Sequence, residues 1–153
     1  MVICTNTMHK MADPVQAAIG IDLLHIADPT AEAIKRAGFS KVGLLGTAFT
    51  MEQHFYRGRL ETRHGLTVLT PNARDRKTVH DIIYQELVQG IVQNHSRDFY
   101  RTVIGSMVGE GAEAIILGCT EIMLLVHPED SAVQLFDTTA LHAAAAVDRS
   151  LAG

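Results

Sequence analysis

Residues Ala114 to Glu121 read AIILGCTE: an unbroken apolar run closed by glycine, cysteine, threonine and glutamate. A run this short is a strand by its length and by the glycine that ends it. Having no polar alternation, it is a strand covered on both faces, as strands of a parallel sheet are. The same pattern recurs outward from it. Lys41 to Gly46 (KVGLLG) follows a Gly-containing turn, Leu66 to Leu69 (LTVL) stops at Pro71, and Val133 to Phe136 closes the series. Nearer the amino terminus, Val2-Ile3 runs into Cys4, and Leu23-Leu24-His25-Ile26 reads as a further strand.

Helical patterns fill the gaps. A short helix is expected over Val15 to Ala18. Asp28-Pro29 suggests an N-cap followed by proline in the first turn, with Ala31, Ile34 and Ala37 marking a helix that ends at Gly38. Thr50-Met51-Glu52-Gln53 has the spacing of a capping box and opens a helix to about His64. Val79, Ile82, Ile83, Leu87, Ile91 and Val92 recur at helical spacing on one face. Ser96 is placed to cap the next helix, striped by Phe99, Val103, Met107 and Val108, and an Ala-rich helix from about Thr139 ends the chain. Strands alternating with helices, the strands continuous and apolar, give an α/β fold with a parallel sheet.

Composition sets limits on function. The chain has 153 residues, about one domain's worth, and 47% hydrophobic against 20% charged residues is a globular balance. Asp plus Glu is 17 and Lys plus Arg is 13, a net charge of −4 that argues against a nucleic-acid partner, which would meet a basic face. No apolar run approaches the roughly 20 residues of a membrane span. No signal-peptide pattern follows Met1, so a cytoplasmic location is expected.

In parallel α/β sheets ligands bind at the carboxyl ends of the strands. That rule singles out Cys4-Thr5-Asn6-Thr7, Thr47 to Thr50, Thr70, Cys119-Thr120-Glu121 and Asp137-Thr138-Thr139. Cysteine is often no more than a small buried hydrophobe. Here, however, both cysteines stand at the end of an apolar strand and both precede a threonine. Two thiols across a cleft suit the inversion of a carbon centre, which needs a base on one face and an acid on the other. A thiol titrates near about 8.5, so a thiolate and a thiol coexist around neutral pH with modest tuning. The carbanion between them needs hydrogen-bond donors and a dry site, which Thr and Asn side chains and strand-end amides supply.

These segments resemble the aspartate/glutamate racemase superfamily, in its aspartate racemase-like and broad-specificity amino acid racemase branch. The resemblance rests on CTNTMHK (residues 4–10), LLHIAD (23–28), KVGLLGTAFTMEQHFYRGRL (41–60), IIYQEL (82–87), AIILGCTEIMLLV (114–126) and FDTTALHAAAAV (136–147), in family order along nearly the whole chain. It implies a pseudo-symmetric pair of α/β domains with the site between them, a cofactor-independent isomerase acting on a small-molecule amino acid substrate, and a homodimer. Cys4 and Cys119 match the two catalytic cysteines. Asn6 and Thr7 match the turn that holds the α-carboxylate, and Thr47 and Thr50 the loop lining the same pocket. Thr120 follows the second cysteine as a donor to the substrate, and Glu121 matches the next position, which tunes the thiol or binds the amino group.

The chain begins three residues before the first of these cysteines, and it is expected to be an N-terminally truncated form. On that reading residues 1–38 and 137–153 are what remains of the first domain, and residues 39–136 are the complete second one. Gln89 lies near where aspartate-specific members place a basic residue, so the resemblance carries no aspartate preference.

Other chemistries fit less well. The eight histidines show no metal-ligand spacing, GxGxxG and the phosphate-loop Gly-Lys-Ser/Thr core are absent, and neither cysteine sits in CxxC. Beside the racemase reading stand a relative acting on another carbanion, such as a hydantoin racemase or maleate isomerase, and a non-catalytic fragment.

Overall fold

The protein, a computed structural model, is described over residues 1–152. Four strands form one sheet: β1 (Lys41–Gly46), β2 (Thr67–Leu69), β3 (Ala114–Gly118) and β4 (Gln134–Asp137). Their order is β2-β1-β3-β4 and every pairing is parallel. The central pair runs in register from Val42 opposite Ala114 to Gly46 opposite Gly118. Val42, Leu44, Leu45, Ala114, Ile115 and Ile116 are fully buried, as the absence of polar alternation predicts for strands covered on both faces.

Among the described residues seven α-helices accompany the sheet: α1 (Ala12–Ala18), α2 (Ala27–Arg36), α3 (Ala48–Glu52), α4 (Arg57–His64), α5 (Ala73–Gln85), α6 (Asn94–Gly109) and α7 (Thr138–Leu151). Helices α5 and α6 pack on β1, α4 on β2, and α7 on β3 and β4. Helix α2 packs on β4 and joins α4 and α7. The core contains Ile34 of α2, Leu60 of α4 and Tyr56 just before it, and Val79, Ile83, Tyr100, Ile104 and Met107 from α5 and α6. Among the described residues no helix is long and apolar enough to cross a membrane.

Five local expectations change. Leu23–Ile26 is not a strand. Leu24 makes an isolated parallel bridge with Val2, its N–H donating to the Met1 carbonyl at 2.9 Å, and the pairing goes no further. Asp28 does not cap α2, which starts at Ala27. Its carboxylate instead takes two 2.7 Å bonds from Arg59 and one of 2.8 Å from His64, a fork-like pairing stronger than a cap. The expected helix from Thr50 to His64 is two helices, α3 and α4, with Thr47 rather than Thr50 as cap. Ser96 lies inside α6, where its hydroxyl donates to Glu86 Oε2 at 2.6 Å, and Ile91 and Val92 fall beyond α5, on the surface.

Candidate active site

A cleft of about 120 Å³ opens at the carboxyl ends of β1 and β3. Thr5, Asn6 and Thr7 line it from the amino-terminal segment, Thr47 from the end of β1, and Gly118, Cys119, Thr120 and Glu121 from the end of β3. Ile83 and Tyr84 of α5, with Val88 beyond it, form the remaining wall. A larger open groove of about 810 Å³ runs along α7, past Arg59, Asp28, Asp22 and Arg149. Two ion pairs, Arg59–Asp28 and Arg149–Asp22, line it, and no cysteine, serine or threonine does, so thiol chemistry belongs to the smaller cleft.

The strand ends are brought together by a lack of side chains. Gly46 and Gly118 are opposite each other at the ends of β1 and β3. A Cβ on Gly118 would lie 2.9 Å from the Leu45 carbonyl oxygen, and one on Gly46 would lie 3.0 Å from the Gly118 carbonyl oxygen. The space they leave is filled by the fully buried Thr50, whose methyl group packs against both glycines. Thr50 therefore supports the cleft from behind and does not line it.

Hydroxyls stitch the site to the segment before it. Thr47 Oγ1 lies 3.3 Å from Thr50 Oγ1 and 3.4 Å from Thr7 Oγ1, which ties residues 5–7 to the start of α3. The buried Asn6 donates its Nδ2 to Thr138 Oγ1 at 3.1 Å, and Thr138 donates to the Leu117 carbonyl at 2.9 Å. Asn6 Oδ1 is buried without a partner. Asp137, at the end of β4, starts α7 by accepting the N–H groups of Thr139 and Ala140 at 2.8 and 3.1 Å. The first turn of α7 is thus fixed against the cleft floor.

Cys119 is half-buried, and its thiol donates to Glu121 Oε2 at 2.9 Å. The Thr120 hydroxyl donates to the same oxygen at 2.7 Å. Burial, and then the neighbouring Glu121 carboxylate, push the Cys119 thiol up to about 12. Burial alone would raise Glu121, but the bonds from Cys119 and Thr120 outweigh it and hold the carboxyl below its ordinary value. In the resting site Cys119 is a thiol and Glu121 a carboxylate.

Cys4 is exposed and is not among the residues lining the cleft, although the next residue, Thr5, is. Of the residues singled out by sequence, Cys119, Asn6, Thr7, Thr47, Thr120 and Glu121 share the cleft; Thr50 lies behind it and Cys4 outside it. The Ile83–Tyr84–Val88 wall was not foreseen as part of a site. Ile83 was visible only as one residue of an apolar helix face, and nothing local says which part of such a face meets a cleft.

Residues 1–146 match the family model described as Asp/Glu/Hydantoin racemase. A candidate Asp/Glu racemase of known structure from Yersinia pestis is 57% identical with a TM-score of 0.95, covering 98% of this chain and 65% of that one. The aspartate racemase homologue PH1733 from Pyrococcus horikoshii is 34% identical with a TM-score of 0.87, covering 97% of this chain and 65% of that one. The broad specificity amino-acid racemase RacX of Bacillus subtilis is 23% identical over 155 residues, 96% of this chain and 63% of that one. The chain spans under two thirds of the length of each of these three proteins.

Proposed function

This chain belongs to the Asp/Glu/hydantoin racemase family, and on that premise we propose that it is a cofactor-independent amino acid racemase using Cys4 and Cys119 as its two proton-transfer groups. The observation that carries this reading is the Cys119–Thr120–Glu121 cluster at the end of β3, its thiol bonded to a carboxylate inside a cleft lined by the Asn6–Thr7 turn. A thiol at one face of the α-carbon is the acid; a thiolate at the other is the base. With Cys119 protonated at rest, Cys4 takes the α-proton in the first direction, and the carbanion receives the Cys119 proton on its opposite face. The two sulfurs have then exchanged states and serve the opposite enantiomer.

Glu121 has a second part in the scheme. It is the group suited to hold the substrate ammonium. Pairing with that cation draws its charge away from the sulfur and brings the Cys119 thiol down from its resting value, so that it can act as base in the reverse direction. The hydroxyls of Thr7 and Thr47, and that of Thr120 once it turns from Glu121, donate to the substrate carboxylate, and such donors stabilise the enolate-like charge that develops there. The domain division at residues 38 and 137, the homodimer and the cytoplasmic location remain part of this reading.

Incorporation of deuterium at the α-carbon in D2O, followed by NMR over a panel of L- and D-amino acids, tests the proposal. Exchange is expected in the parent chain and lost in both Cys4→Ser and Cys119→Ser. Exchange that survives either substitution sinks the two-thiol scheme, and a folded parent that exchanges no amino acid sinks the racemase reading.

A further inference from the structure

A third groove, of about 280 Å³, lies between residues 9–13 and α4 and shares no lining residue with the cleft. Lys10, Arg59 and Arg63 line it against a single carboxylate, Asp13, so cations are in excess there. Lys10 and Arg63 are exposed and make no ion pair among the described residues. The larger groove along α7 has no such excess, because five carboxylates stand among its lining residues against four arginines.

Two further donors are held in place and unused. His25 is 3% exposed, and its Nδ1 accepts the Ala27 N–H at 3.2 Å, which puts the ring proton on Nε2. Among the described residues Nε2 has no partner, yet it is not one of the side-chain atoms sealed from solvent without one. Its open side therefore faces the grooves that His25 lines. Arg59 is left in the same condition. Asp28 takes its Nε and Nη2 at 2.7 Å each, His64 braces that carboxylate, and Nη1 stays free and open to the same grooves. A guanidinium fixed in such a fork is an oriented donor. His54 closes one side, its ring lying over α4 where Gly58 has no side chain; a Cβ there would collide with the His54 Nδ1.

A carboxylate has two oxygens for these donors. A phosphate group has three and carries nearly two negative charges at neutral pH, which suits three cations facing one carboxylate. We propose that this groove binds a phosphate group, as inorganic phosphate or a phosphate monoester, through His25 Nε2–H, Arg59, Arg63 and Lys10. Phe55 and His54 flank the group that carries the phosphate. The site stands apart from the racemase reading and does not depend on it.

The test titrates the full chain near neutral pH, at fixed ionic strength, with inorganic phosphate, phenyl phosphate and acetate. NMR of the histidine rings reads His25, and calorimetry reads affinity. The His25 signals are expected to move saturably with phosphate, at a single site per chain. Affinity is expected to fall about threefold or more in Lys10→Ala and in Arg63→Ala, both at exposed positions, and to stay unchanged in Arg74→Ala at an exposed position of α5. His25 signals that stay still under both phosphates overturn the site. Arg74→Ala weakening binding as much as Arg63→Ala overturns it too, since the binding is then general to surface cations. Acetate binding as tightly as phosphate overturns the phosphate assignment. Phenyl phosphate binding at least as tightly as inorganic phosphate upholds the site as one for a monoester, and weaker binding of phenyl phosphate upholds it as one for the free anion.

Discussion

The thiol of Cys119 is bonded to Glu121 Oε2 at 2.9 Å, and the same oxygen accepts the Thr120 hydroxyl at 2.7 Å. Three consecutive residues thus form one hydrogen-bonded unit at the end of a buried strand. The carboxylate keeps the sulfur protonated and is itself the group best placed to receive a cation.

Replacing Glu121 by Gln removes the charge that helps hold the Cys119 thiol at about 12. Each unit by which that value falls gives about ten times more thiolate at a fixed pH below it. In a Cys4→Ser background, iodoacetamide alkylation of Cys119 at pH 8, followed by mass spectrometry, is expected to be slow and to accelerate several-fold on Glu121→Gln. Equal rates would show that burial alone sets the thiol.

Gly118→Ala and Gly43→Ala should differ in cost. A Cβ at Gly118 lies 2.9 Å from the Leu45 carbonyl oxygen, which belongs to the backbone of β1 and cannot turn aside. At Gly43 the nearest atoms, at 2.6 Å, are the tips of the Ile115 and Met107 side chains. Overpacking against backbone costs about 1–3 kcal/mol. Thermal denaturation is expected to give a clearly lower Tm for Gly118→Ala, with Gly43→Ala closer to the parent; the reverse order would contradict the packing described.

Thr138→Val breaks a relay while conserving shape. Thr138 accepts from Asn6 Nδ2 and donates to the Leu117 carbonyl, so valine removes both bonds and leaves the buried Asn6 amide without its partner. Unsatisfied buried groups cost about 1–3 kcal/mol each. Urea unfolding should show a loss in that range, and any α-proton exchange should fall with it, because Asn6 loses the bond that orients it. Unchanged stability would mean that the relay contributes nothing net.

Stability should decline in acid in two stages. His9 donates Nδ1–H to the Thr5 carbonyl at 2.8 Å and accepts the Ile26 N–H at Nε2, so its ring is neutral with both nitrogens engaged. Its ring is tilted against that of His25, with centroids 4.5 Å apart, and lies 5.7 Å from that of His142. Burial lowers His9, and burial, then Arg59 and His9, lower His25 to about 3 from an ordinary 6.5. Below pH 6.5 the unfolded chain takes up protons that the folded chain refuses. Stability should fall there by up to about 1.4 kcal/mol per pH unit for each histidine. Asp28 follows: burial raises it, but Arg59 and His64 outweigh burial and hold it at about 2 against 3.8, so its contribution is present above pH 3.8 and lost toward pH 2. Urea midpoints are expected to be flat from pH 8 to 7 and to drop steeply below 6. A flat profile to pH 5 would remove the neutral histidine cluster from the account.

The sequence alone determined the sheet and one end of the site. KVGLLG and AIILG carry their own evidence, because a strand covered on both faces has no polar alternation, and a Gly-Cys-Thr-Glu ending puts polar and titratable side chains at the strand's carboxyl end whatever surrounds it. Glycine 118 was legible as a strand terminator; its second role, letting β1 approach, was not. Tertiary structure decided the rest. LLHI has the composition of a strand, but a strand needs a partner along its length, and Leu24 finds only Val2. Asp28 has a capping residue's chemistry, but Arg59 and His64, more than 30 residues away, claim it. Asn6 meets Thr138 across 132 positions and Thr7 meets Thr47 across 40. The apolar face of α5 meets the cleft at Ile83 and Tyr84 because of how the helix is set against β1. Local patterns fix which elements form, since propensity and periodicity act over a few residues. Which side chains share a cleft depends on contacts between distant segments, and these exist only once the sheet has closed.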